Sequence, residues 1–126
     1  MTQIFLSIGA ILGGLSVASG AFASHGLRDK LSERSLEIFE TAARYQMYHA
    51  LALLLVAILL SIYQSPPLSL IASGWLFIIG IAFFSGSLYV LSLTGVKILG
   101  AIAPLGGAAF IAGWGALAFA AWSLKL

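Results

Sequence analysis

Leu51-Ala52-Leu53-Leu54-Leu55-Val56-Ala57-Ile58-Leu59-Leu60 is an unbroken run of ten apolar residues. Its surroundings extend the run: no Asp, Glu, Lys or Arg occurs from Tyr45 to Tyr63, and Gln64-Ser65-Pro66-Pro67 follows. Proline lacks the amide hydrogen that a continuing helix needs. A helix crossing a bilayer requires about 20 mostly apolar residues, so Tyr45–Tyr63 is read as a membrane span.

The same criterion finds three more. Residues Met1 to Leu27 contain no Asp, Glu, Lys or Arg, giving span one at 4–24. A cleavable signal peptide is its rival, because Ala21-Phe22-Ala23 has the small-x-small form of a cleavage site. Such a peptide has a cationic start before an uninterrupted apolar stretch; here no cation precedes a segment broken by Gly9, Gly13, Gly14 and Ser16, so retention as a span is expected. Leu68–Leu93 is span three, Thr94-Gly95-Val96-Lys97 a tight connection, and 98–124 span four, with Pro104 expected to loosen its first turns. The fold class is therefore an all-α membrane protein, one four-span domain over 1–126.

Composition agrees. The chain is 61% hydrophobic and 8% charged, against roughly 25% charged in soluble domains. A net charge of +2 is too small for a nucleic-acid footprint. The absence of cysteine excludes disulfides, thiol catalysis and cysteine-ligated metals.

Eight of the ten charges fall between Arg28 and Arg44. There Leu31, Ile38, Ala42 and Tyr45 share one side of a helix while Glu33, Glu37, Glu40 and Arg44 share the other. The pattern predicts an amphipathic helix over about 33–44, lying along the cytoplasmic membrane surface. Ser32 is its expected N-cap, with Leu31 and Leu36 as a hydrophobic staple. Arg28, Lys30, Arg34 and Arg44 in the first loop and Lys97 in the third outnumber Lys125 at the termini, so both termini are expected outside.

Small residues are the main packing device between helices in lipid. Gly9, Gly13, Ser16 and Gly20 in span one, and Gly106, Ala109, Gly113, Ala116 and Ala120 in span four, mark expected close-packing faces. Ala82 and Gly86 add a pair in span three, whereas the leucine-rich centre of span two suits lipid contact. These faces serve contacts inside the bundle, self-association or docking to another protein.

Folding the spans up and down gathers a polar cluster at the charged end: His25, Arg44, Tyr45, Gln46, His49, Ser85, Ser87 and Tyr89. Intramembrane ionisable residues are functional candidates by default. For His49 three readings stand: a neutral histidine bonded to Ser, Tyr or a free carbonyl, a group handling a proton or ligand, or a metal ligand. A metal needs three or four ligands, and only His25, His49 and Glu40 are on offer, so no metal and no cofactor are expected. His25 before Gly26 reads as a helix C-terminus with a left-handed glycine cap. Arg44 has two options, pairing with Glu40 one turn earlier or snorkelling to lipid phosphates. No catalytic residue is assigned, because there is no phosphate loop, dinucleotide fingerprint, zinc-protease motif or nucleophile elbow.

Four blocks of the chain resemble a known family. They are Gly20-Ala21-Phe22-Ala23-Ser24-His25-Gly26-Leu27; Phe39 with Thr41-Ala42-Ala43-Arg44-Tyr45-Gln46-Met47-Tyr48-His49-Ala50-Leu51; Phe84-Ser85-Gly86-Ser87-Leu88-Tyr89; and Pro104-Leu105-Gly106-Gly107 with Gly113-Trp114. Together they resemble the YgdD/YwdK-like small membrane proteins, family 423 of the domains of unknown function. Ala23-Ser24 departs from the Gly-Ala expected there. The resemblance implies a multi-pass protein of the bacterial plasma membrane with no established activity, substrate or cofactor. The leading expectation is a non-enzymatic scaffold or assembly component whose partners are the bilayer and either copies of itself or a larger membrane complex. An oligomeric carrier or channel for a small solute or proton is the alternative.

Overall fold

A computed structural model describes residues 1–125. Four helices are long and apolar enough to cross a membrane: α1 (Thr2–His25), α2 (Glu33–Ile62), α3 (Leu68–Thr94) and α4 (Leu99–Ser123). No strand is formed among the described residues.

Helix α2 is the axis of the bundle. Of its apolar window 44% is buried, against 17% for α1 and 22% for α4, so the outer two helices turn most of their surface to lipid. Helix α1 packs along α2, and α4 packs along α3. The core between them is built from Phe5, Leu53, Val56, Leu60, Leu70, Phe77, Phe110 and Leu117. The leucine-rich centre of α2 is divided between core and the lipid contact expected of it: Leu53 and Val56 are fully buried, whereas Leu51, Leu55 and Ile58 stay exposed. A uniformly apolar run does not reveal which of its faces meets protein.

The amphipathic segment and span two are one helix. Between Glu33 and Ile62 there is neither glycine nor proline to break the ladder. Thirty residues reach ~45 Å, beyond a hydrocarbon core of ~30 Å. A single straight element cannot lie along the surface and cross it, so the charged segment instead projects from the membrane as the first turns of α2. Its start is capped by Ser32, whose Oγ accepts from the Ser35 N–H at 3.1 Å. Leu31 and Leu36 pack on a small second core of Ala23, Leu27 and Phe39, which fastens the 26–32 connection to the outer ends of α1 and α2.

At the end of α1, Gly26 is right-handed (φ −84°), not the left-handed cap expected. Its lack of a side chain serves proximity: a Cβ there would stand 2.6 Å from the Phe22 ring. The left-handed glycine is Gly95 (φ 72°), whose N–H donates to the Leu91 carbonyl at 2.8 Å and ends α3.

Helix α3 carries one irregularity. Residues Ile81–Ser85 are π-helical, and the Gly86 N–H reaches back five residues to the Ile81 carbonyl. Helix α4 remains helical through Pro104, which lies near its exposed start.

Candidate functional site

The small residues show which helices approach closely. A Cβ on Gly9 would stand 2.8 Å from Leu54, and one on Gly113 2.8 Å from Phe77. Gly106 faces the backbone nitrogen and Cβ of Phe84, so α4 meets α3 backbone to backbone at the π-helical turn. Gly13 and Gly20 behave differently from the expectation of close packing. Nothing lies within 4 Å of a Cβ at either position, and Gly20 borders open space between α1 and α2. Ala82 is exposed and Gly86 makes no tight contact. Two glycines that sequence spacing missed are tighter than these: Gly74 lies under the Phe5 ring and Gly80 under the Phe110 ring.

Around these contacts four side chains hold neighbouring helices through hydrogen bonds. Ser16 Oγ on α1 donates to the Ala43 carbonyl on α2 (2.6 Å). Ser85 Oγ, on the π-helical turn, donates to the Ala42 carbonyl (2.8 Å). Gln46 Nε2 donates to the Leu12 carbonyl of α1 (2.8 Å), and its Oε1 accepts from the Tyr89 hydroxyl of α3 (2.7 Å). One glutamine thus joins three helices.

His49 closes the same set toward α4. Indole nitrogen can only donate, so the 3.0 Å contact from Trp114 Nε1 requires His49 Nε2 to be the unprotonated acceptor. Nδ1 then carries the hydrogen and donates to the Tyr45 carbonyl at 2.7 Å. The ring stacks on Phe110 with centroids 3.5 Å apart and planes 8° from parallel. His49 is thus a neutral tautomer with both nitrogens engaged.

Of the sequence-derived cluster, the structure brings together Tyr45, Gln46, His49, Ser85 and Tyr89. Ser87 is buried on α3. His25 is exposed at the end of α1, outside this network. Arg44 is also exposed and donates to Thr41 Oγ1 at 3.2 Å, in place of the Glu40 pair that was one of its two options. Trp114 was missed as a member. Its signal was available, since an indole N–H inside a span needs an acceptor. No group of three or more His, Asp and Glu positioned to hold a metal occurs among the described residues.

Two cavities adjoin the cluster. One, of about 590 Å³, lies between α2, α3 and α4 and is lined by Tyr45, Tyr48, His49, Phe84, Phe110 and Trp114 among others. Its ring-lined wall suits an apolar group. The second, of about 320 Å³, lies between α1 and α2 near Ser16, Gly20, Glu40 and Arg44.

Four apolar spans braced by buried polar side chains define a small multi-pass membrane protein. Residues 19–107 match the family model described as "Protein of unknown function (DUF423)", and the chain belongs to that family. It is 47% identical over 112 residues to the UPF0382 membrane protein YwdK of Bacillus subtilis, covering 89% of this chain and 90% of the relative. UPF0382 membrane proteins of Staphylococcus haemolyticus and Staphylococcus epidermidis are 46% and 48% identical, with 89% of each chain covered. No solved structure matches.

Proposed function

We propose that this chain is a non-enzymatic component of the bacterial plasma (inner) membrane that assembles with, or stabilises, other membrane proteins. In this reading both termini lie outside and the charged end of α2 lies in the cytoplasm. The observation that carries it is the closure of the polar cluster. Both nitrogens of His49 and both ends of the Gln46 amide are bonded within the chain, as befits braces between helices. Meanwhile α1 and α4 turn large apolar residues outward, among them Ile11, Val17, Ile111 and Phe119, and Gly13 and Gly115 offer unfilled notches for another helix.

Purification in mild detergent at native expression, with identification of co-purifying proteins, tests this reading. A recurrent protein partner or a homo-oligomer is expected, and a lone monomer overturns it. A homo-oligomeric carrier is the second reading, favoured by the cavity that reaches His49. His49→Gln separates the two: assembly persists if the residue is a brace, whereas proton-linked transport disappears. Orientation is read from single cysteines introduced into this cysteine-free chain. One at Lys30 is expected to be protected from an impermeant thiol reagent in intact cells, and one at Ser65 protected as little as a terminal tag. Labelling of the Lys30 position from outside sinks the topology.

A further inference from the structure

The cavity between α1 and α2 is amphipathic along its length. Beyond Arg44, helix α2 has no charged residue as far as Ile62, a rise of ~27 Å that nearly matches the hydrocarbon thickness of ~30 Å. Arg44 therefore stands at the boundary between acyl chains and headgroups. Met47 lies one turn inward of it and Glu40 one turn outward, and all three line the cavity with Val17, Gly20 and Ser24 of α1. Reading outward from the bilayer, the wall runs apolar, cationic, anionic.

Arg44 and Glu40 do not neutralise one another. Their spacing of four residues would permit a pair, yet the guanidinium donates to Thr41 Oγ1 at 3.2 Å. No Lys or Arg nitrogen comes within 4.0 Å of a carboxylate oxygen among the described residues. Across the cavity from α2, Gly20 of α1 leaves the wall open, since a Cβ there would meet nothing within 4 Å. A ligand with an anionic group below a hydrogen-bonding cation, carried on an apolar tail, complements all three levels.

We propose that this cavity binds a phospholipid bearing a primary ammonium headgroup, of the phosphoethanolamine class. Its phosphate meets Arg44, which can donate two parallel hydrogen bonds to phosphate oxygens. Its ammonium meets the Glu40 carboxylate, and an acyl chain lies over Val17 and Met47. A choline headgroup has the same net charge but no N–H to donate, and a glycerol headgroup leaves Glu40 facing the phosphate without a cation.

Native mass spectrometry of the detergent-purified full chain, with added phosphatidylethanolamine, phosphatidylcholine or phosphatidylglycerol of identical chains, tests the assignment. Retention of the ethanolamine lipid is expected severalfold above the other two. Arg44→Gln should lower its retention severalfold, Glu40→Gln should erase the preference for it, and Gly20→Leu should abolish binding by filling the cavity. Gly14→Leu, at an exposed position of α1 that does not line the cavity, serves as the unaffected control. Glu40 and Arg44 lie at the surface of α2, so their variants report binding even where Gly20→Leu disturbs α1. Equal retention of the choline lipid, or an unchanged preference in Glu40→Gln, overturns the proposal. Retention of chain-free glycerophosphoethanolamine at the same concentration would assign the site to soluble zwitterions and overturn the lipid reading.

Discussion

The single residue that joins most of the molecule is Gln46. Its amide bonds α1 through the Leu12 carbonyl and α3 through Tyr89, while His49, one turn along, reaches α4 through Trp114. Hydrogen bonds between membrane helices are worth ~0.6 kcal/mol on average. Trp114→Phe, which strands His49 Nε2 while keeping most of the ring, should therefore lower stability by about 0.5–1.5 kcal/mol, read from the unfolding midpoint in a denaturing-detergent titration. Glycines sort more sharply. Gly106→Ala places a methyl group against the Phe84 backbone, where neither partner can rotate away, and overpacking of this kind costs ~1–3 kcal/mol. Gly13→Ala, with open space around it, should leave the same midpoint unchanged. Spacing alone grouped Gly13 with Gly9 and Ser16, since a four-and-three pattern continues around a helix whether or not a neighbour is present. Gly74 and Gly80 escaped notice for the opposite reason. Their partners are the rings of Phe5 and Phe110 on other helices, and no local pattern indicates which aromatic residue will cross over them.

At the level of elements, the spans were legible because lipid imposes length and composition, and four helices meet both, although α2 starts at Glu33, well ahead of the Tyr45 expected for its span. The unbroken course of α2 has its cause in the sequence, which holds neither glycine nor proline from Glu33 to Ile62. What the charged face could not reveal was its angle to the membrane, which follows from rigidity and not from amphipathicity. The π-helical turn at Ile81–Ser85 left no trace in the sequence, because a segment apolar on all sides has no periodicity to shift. It places Ser85 on the Ala42 carbonyl and turns the Phe84 backbone to Gly106. A π turn holds one residue more than the α-helix would. Deleting Ala82, which is exposed, should therefore return α3 to α-helix and preserve folded protein in the membrane. Deleting the exposed Leu51 from unbroken α2 rotates one half against the other by roughly 100° and should abolish it, as judged by detergent-stable yield. At the α3–α4 connection, Gly95→Ala forces a left-handed residue with a Cβ (φ 72°) and should cost about 1 kcal/mol, read by the same denaturation titration.

The whole molecule has its charge at one end and its open apolar surface on two flanks. Eight of the ten charges lie between Arg28 and Arg44, around the small core of Ala23, Leu27 and Phe39. The hydrogen-bonded braces between helices begin at the inner edge of this region, at Ala42 and Ala43. Replacing Phe39, 5% exposed, by Ala should detach the connecting segment and speed proteolysis near Arg28 to Arg34, with the spans still inserted. Helix α2 crosses both regions without a joint. It therefore works as a shaft: a sideways pull on its projecting end tilts Gln46 and His49 by the same angle, and with them the carbonyl contacts to α1 and the indole contact to α4. A partner that grips only the water-exposed end would in this way rearrange the outline that the bundle presents to lipid.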